Sequence, residues 1–504
     1  MTDQNQPAGA DRRTFPKTVG AAAIARGTPA FGQAQTATAK VGMGVDTYSL
    51  GARNWTPFQA LGLVLGAISV LLVPATVAAQ ARYSAKTLGD VVQLRDTRTD
   101  TVVSVLTAVS NAYELVVKGE NILQMTPANI DAMRANPGLR GIPLLAPFAN
   151  RLDDLALYAN GQKYNFDMEL GNVRGPIPSH GYLTGANGWK VIEAKADSAG
   201  AWVTSKLDFY RYPRYMKQFP FAHTLTMTYR LQDGVLEVRT RIDNLSAEPM
   251  PVAIGFHPYF HLTDSVRTDW SLSVPAKTHW IPDARDLPTG ETEPAEKYFG
   301  PDLKAIPMKN FETKQINEGF TDLERDAQGR GTVSMKGVKQ QIDVTLGPKF
   351  KTIFVYSAVP SGRGGGAGGG QGRAAGAPRP AAGAAATAPS AAPQTAAAPA
   401  ASAVSVGAPP AGQAAGAPPI GAPPAAGRAG GRGPAAPPVS TGPDIPMSAK
   451  PSTPNPMRGF VAFEPMVGIT NALNMAQKGA YKDLQTIAPG AFWQESFWIR
   501  ATGY

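Results

Sequence analysis

The chain has 504 residues, a formal net charge of +10 and no cysteine, which excludes disulfides and thiolate metal centres. In residues 1–81 Arg12, Arg13, Lys17, Arg26, Lys40 and Arg53 outweigh Asp3, Asp11 and Asp46 by 3; in residues 361–450 Arg363, Arg373, Arg379, Arg428, Arg432 and Lys450 outweigh Asp444 by 5. Only +2 remains for the rest, too little for an electrostatic footprint on nucleic acid.

Asp11-Arg12-Arg13-Thr14-Phe15-Pro16-Lys17 leads into a weakly apolar run from Val19 to Ala25. Paired arginines before such a run resemble a twin-arginine export signal, with Pro16 where an aliphatic residue is usual. A second apolar run, Leu61 to Val73, is followed by Ala79-Gln80-Ala81, a small-x-small cleavage pattern. The leader, residues 1–81, therefore predicts a periplasmic or secreted protein. Left uncleaved, segment 61–79 would instead anchor the chain in a membrane. Met43 offers an alternative start, with Arg53 as the positive flank.

From Arg82 onward the texture is that of short strands. Val103 to Val117 is a β-rich run broken at Ser110-Asn111. Leu225 to Leu231 reads as a strand and Gln232-Asp233-Gly234 as a turn. Leu236, Val238, Thr240 and Ile242 alternate with charged residues, the mark of a half-buried strand, and Ile342, Val344 and Leu346 repeat it. Ile353–Tyr356, Phe460–Phe463 and Phe492–Ile499 predict three more strands. Convincing amphipathic helices are scarce. The expected class is all-β, a large antiparallel β-sandwich over residues 82–504.

That domain is interrupted at residues 361–450 by a tract of Gly, Ala and Pro. Such composition offers too little apolar surface to offset ordering entropy, so the tract is expected to be a disordered surface-loop insertion. Loop closure cost grows only logarithmically with length, so a sandwich tolerates it.

Four short motifs carry chemistry. Gly255-Phe256-His257-Pro258-Tyr259-Phe260-His261-Leu262 holds a His whose following Pro stiffens the backbone and gives the imidazole a definite direction. Pro147-Phe148-Ala149-Asn150-Arg151 sets an amide beside a guanidinium. Ser179-His180-Gly181 places a second His before a Gly. Phe463-Glu464-Pro465-Met466 puts a carboxylate at the end of an apolar strand, with Asn471-Ala472-Leu473-Asn474 behind it. Singly, each has a plain structural reading: a satisfied core His, a turn cap, a solvated strand end. His257 and His261 are four apart, but Pro258 opposes the helix that would make them joint ligands, so no metal is expected.

Together these motifs, with Gly141-Ile142-Pro143 and Leu484 to Gly490, resemble the aldose 1-epimerase (galactose mutarotase) family from about Gly141 to the C-terminus. The resemblance implies a large antiparallel sandwich (a mutarotase-like supersandwich) and interconversion of the α and β anomers of free aldohexoses, without a cofactor. It implies that Glu464 takes the C1 hydroxyl proton, that His257 protonates the ring oxygen, and that His180 assists. Asn150, Arg151, Asn317 and Tyr259 would hold the sugar. Asn317 stands where the family has an Asp, and Glu318 or Asp322 are alternatives for that role. Two other functions fit the same features. One is a hexose-6-phosphate 1-epimerase, with Arg211, Arg214 and Lys217 as phosphate candidates; the other is a non-catalytic envelope glycan-binding module. The oligomeric state is not readable.

Overall fold

The structure is a computed structural model that describes residues 81–124, 127–170, 172–360, 442–449 and 459–504. The leader up to residue 80 and the tract up to residue 441 lie outside the described residues, as do residues 450–458. Three larger antiparallel sheets dominate. The first is a meander of five strands in sequence order, Tyr83–Leu88 to Glu120–Asn121. The second has nine strands and includes His223–Gln232, Val235–Asn244, Gln341–Leu346 and the last strand, Phe492–Thr502. The third has eight and carries the residues of interest.

Period-two patterning builds the nine-stranded sheet. Val235–Asn244 alternates half-buried and buried positions along its whole length, with Leu236, Val238, Thr240 and Ile242 on the buried face. The preceding hairpin turn is the two residues Asp233 and Gly234, at φ 51° and 71°, the positive values a tight two-residue turn requires. The inner face meets the eight-stranded sheet, where Phe256 lies 4.8 Å from Phe497 between ring centroids.

The eight-stranded sheet is buried on both faces at its centre. Val461–Met466 is buried at every residue and Thr352–Ser357 at all but one. One face lies on the core; the other is covered by loops from elsewhere in the chain. A polar side chain on the loop-covered face is thus buried without entering the core. These two strands flank the Gly/Ala/Pro tract in sequence and pair directly with each other, Phe354 opposite Glu464.

The end of the tract departs from its compositional reading. Gly442–Ala449 docks on the five-stranded sheet, where Ile445 joins a buried cluster with Val91, Leu106 and Tyr113. Glu114 Oε1, on a fully buried side chain, accepts hydrogen bonds from the backbone N–H of Ser448 (2.9 Å) and Ala449 (3.3 Å). Arg134 Nη2 donates to Pro443 O at 2.9 Å. Two apolar side chains, Ile445 and Met447, supply the burial that the Gly/Ala/Pro run lacks. Glu114→Ala is expected to cost about 1–3 kcal/mol, because it removes the acceptor for two inward-facing donors. Limited proteolysis checks it: cleavage within 442–449 should rise sharply in the variant.

His223 gives the fold an acid limit. It is buried, its Nδ1 lies 2.6 Å from Phe221 O, and its ring stacks on Phe209 at 4.1 Å. Burial holds its pKa down at about 4, against a partial lift from that backbone hydrogen bond. The unfolded chain therefore binds more protons than the folded one between pH 6.5 and 4, so stability falls as pH drops below 6.5. The expected loss from this group by pH 5 is about 2 kcal/mol. Urea unfolding at pH 5 and pH 7.5 checks it, with the difference reduced in His223→Asn.

Candidate active site

Strand register makes the central pair. Gly255 lies opposite Met466 and Tyr259 opposite Ala462, so His257 falls opposite Glu464. His257 Nε2 is 2.9 Å from Glu464 Oε1. Glu464 is 1% exposed and His257 4%. Glu464 is therefore not the solvated strand end that its sequence position suggests. On its strand Val461, Phe463 and Pro465 point to the core, and Glu464 shares the opposite face with Ala462 and Met466. Glu464 Oε2 and His257 Nδ1 are buried with no partner. Chemistry at this pair needs such free valences, since a structural ion pair would satisfy them.

The Arg151 segment closes over this face. His180 N donates to Asn150 O at 2.7 Å, and Arg151 bridges Ser179. Asn150 and His180 both hold positive φ, 58° and 59°, which kinks the two segments against each other. Gly181, at φ 62°, passes so close that a Cβ there would overlap Ala146 O and C. Arg151 Nη1 donates to Asn150 Oδ1 at 3.1 Å and Arg151 Nη2 reaches Asp286 at 3.4 Å. The loop is tied to the far side by Asn474 Nδ2, which donates to Asp153 Oδ1 at 2.9 Å, and by Asp153 N, which donates to Asn471 Oδ1 at 3.3 Å. Burial raises the Asp153 carboxyl, but hydrogen bonds from Lys478, Asn474 and Asn471 outweigh it and hold the group below the usual range. Asn471 and Asn474 thus position the loop that presents Asn150 and Arg151.

His180 stands edge-on to His257, ring centroids 5.1 Å apart. Desolvation first, then the charges of His257, Arg151 and Arg174, push its pKa well below the ordinary value, which favours the neutral imidazole. Its buried Nδ1 has no partner. Tyr259 stacks on His257 at 4.5 Å and its hydroxyl lies 3.4 Å from Nε2. Burial, then the Glu464 charge, raises the Tyr259 phenol well above its usual pKa. Burial first, and the charge of Arg174 second, push Arg151 down, while Asp286 and Glu464 push it back.

The three candidates for the acidic position separate by face. Asn317 lies opposite Tyr356, which shares the site face with Phe354 and hence with Glu464. Glu318, one residue on, points the other way and meets His279 Nε2 at 3.1 Å, while His279 Nδ1 meets Glu293 at 3.0 Å. Asp322 accepts from Thr278 Oγ1 at 2.6 Å on an exposed edge. Asn317 alone of the three faces the site, with its Nδ2 buried and unpartnered. His261 lies apart, its Nε2 2.9 Å from Asn121 O. Two of the three phosphate candidates are committed elsewhere: Arg214 to Asp167 (2.8 Å) and Arg211 to Asp208 (3.1 Å).

A carboxylate with a free oxygen, a touching imidazole and a guanidinium, all shielded from water, are the parts a proton-transfer site needs. Residues 111–357 match the sequence model of the family described as aldose 1-epimerase. Over those residues the chain is similar to the aldose 1-epimerase family. The family match includes Arg151, His180, His257 and Asn317 but ends at the 352–357 strand; strand pairing is what joins Glu464 to it. A galactose mutarotase-like protein from Clostridium acetobutylicum is similar over 84% of this chain and 98% of its own, at 16% identity and a TM-score of 0.56. Galactose 1-epimerase from Lactobacillus acidophilus gives 84% and 98% at 12% identity and 0.52. At these identities the likeness shows the epimerase fold.

Sequence reasoning missed Asp286, Tyr356 and Arg174. Asp286 sits in a turn at φ 62° and reads as turn chemistry. Tyr356 reads as a core strand residue, yet its ring lies 6.3 Å from that of Tyr259. The charge of Arg174 acts on Arg151, His180, Tyr259 and Tyr356, but its segment carries no motif.

Proposed function

We propose that this protein is an aldose 1-epimerase acting on neutral free aldohexoses. The observation that carries this reading is the buried His257–Glu464 pair with one carboxylate oxygen and one imidazole nitrogen unpartnered. Glu464 Oε2 takes the proton of the C1 hydroxyl. The C1–O5 bond breaks as His257 gives a proton to O5, and C1 becomes an aldehyde carbon. Rotation about C1–C2 presents the other face, and closure returns one proton to His257 and one to O1. Acid and base are in contact, His257 Nε2 lying 2.9 Å from Glu464 Oε1. O1 and O5 share one carbon, so a touching pair still reaches both. Neutral His180 hydrogen-bonds near that carbon without adding charge. Arg151, Asn150 and Asn317 hold hydroxyls.

The partners of Arg211 and Arg214 weigh against a phosphorylated substrate. The leader motifs add the proposal that the enzyme acts outside the cytoplasm. The test is anomer exchange by NMR at equilibrium with the full-chain protein and glucose, galactose and xylose. Exchange above the buffer rate for at least one sugar is expected; buffer-rate exchange for all three, with binding retained, would leave a glycan-binding module instead.

A further inference from the structure

The Arg151 side chain is 5% exposed, and the acid that meets it comes from another part of the chain: Nη2 lies 3.4 Å from Asp286 Oδ2. Asp286 belongs to a hairpin turn between the strands Ala276–Pro282 and Pro288–Pro294, at the edge of the eight-stranded sheet. The bonds that shape this turn do not use the Asp286 side chain. Asp283 N donates to Leu287 O at 2.7 Å and Asp286 N to Asp283 O at 3.1 Å. Asp283 Oδ1 accepts from Arg285 N at 2.7 Å and from Leu287 N at 3.1 Å. Asp286 itself sits at φ 62°, a left-handed value that Asp and Asn adopt more readily than most residues. Its carboxylate is spare for the turn and lines a cleft with Asn317 and Phe354.

The contact has the length of an ion pair rather than of a hydrogen bond. At 3.4 Å it exceeds the roughly 2.7–3.2 Å of an N–H···O bond, so Asp286 offsets the charge of Arg151 without consuming its donors. A guanidinium cannot shed that charge by losing a proton at any working pH. The charge of Arg174 adds to it, acting on Arg151, His180, Tyr259 and Tyr356. Of the two carboxylates that act on Arg151, Asp286 is the stronger and Glu464 the weaker. Without the Asp286 charge, a water-shielded guanidinium reinforced by Arg174 would face the ligand, the arrangement that takes a carboxylate or phosphate.

We infer that Asp286 sets the charge preference of the site: by neutralising Arg151 it leaves a donor for hydroxyls and removes a receptor for anions. Its own charge also repels an acid in the cleft. The inference rests on the proposed function for the sugar and not for the reaction. The experiment is a ligand-observed NMR titration of the full-chain protein, Asp286→Asn and Glu318→Gln with glucose and glucuronate, which differ only at C6. Asn keeps the shape and the left-handed backbone and drops the charge. In Asp286→Asn the affinity for glucuronate relative to glucose should rise about tenfold, with glucose binding within about twofold of the parent. Glu318→Gln removes the other acid of the cleft, which is paired with His279, and should leave the ratio unchanged. An equal loss for both sugars in Asp286→Asn would overturn the inference and make Asp286 a structural residue. An unchanged ratio there, the same rise in Glu318→Gln, or binding of neither sugar by any of the three proteins would also overturn it. Because binding is read, a protein that never exchanges anomers still decides the matter: the rise in ratio then upholds the role of Asp286 while the epimerase reading fails.

Discussion

Replacing Glu464 by Gln is expected to slow anomer exchange by about 10²–10⁴-fold, the usual worth of a positioned base, while the protein folds as before. The amide keeps the shape of the carboxylate and an oxygen or nitrogen toward His257 Nε2, but it cannot take the C1 hydroxyl proton. Stability should be unchanged or higher. Glu464 is 1% exposed with Oε2 unpartnered, so its charge is held at a cost to the fold that the amide reduces. Rate and thermal midpoint read together separate this account from a structural one. A residue that matters only by packing would lose both.

Gly181→Ala should have the largest effect on the fold, about 2–5 kcal/mol of stability, from a left-handed backbone and a backbone overlap together. The residue holds φ 62°, and its Cβ would overlap Ala146 O and C, with Pro147 N at 2.9 Å. These are main-chain atoms of the segment that runs on to Asn150 and Arg151, so relief moves the site. Exchange should fall with stability because His180 is the preceding residue. Gly175→Ala is the control. It has φ 62° but open space around its Cβ position, and should lose only the left-handed term of about 1–2 kcal/mol. Urea unfolding of both variants checks the difference.

Elements whose physics is local were legible in the sequence. Alternation marked Val235–Asn244, and Asp233-Gly234 marked its turn, because period two and positive φ are properties of a few neighbouring residues. The burial of Glu464 was not local. It comes from the Arg151 and His180 segments covering the second face of a strand far along the chain. The choice among Asn317, Glu318 and Asp322 needed the register with 352–357, since alternation separates neighbours without saying which face is the site. The docked end of the tract was hidden for another reason: Ile445 and Met447 are two apolar residues in a long Gly/Ala/Pro background, and composition averages them away.

A double-mutant cycle on anomer exchange, with the full-chain protein, Glu464→Gln, His257→Gln and the double variant, tests most directly whether the touching pair works as one proton-transfer unit. The account predicts a double variant no slower than the slower single variant, because either loss already disables the unit. Multiplying losses, or a single variant that exchanges anomers at the parent rate, would contradict it.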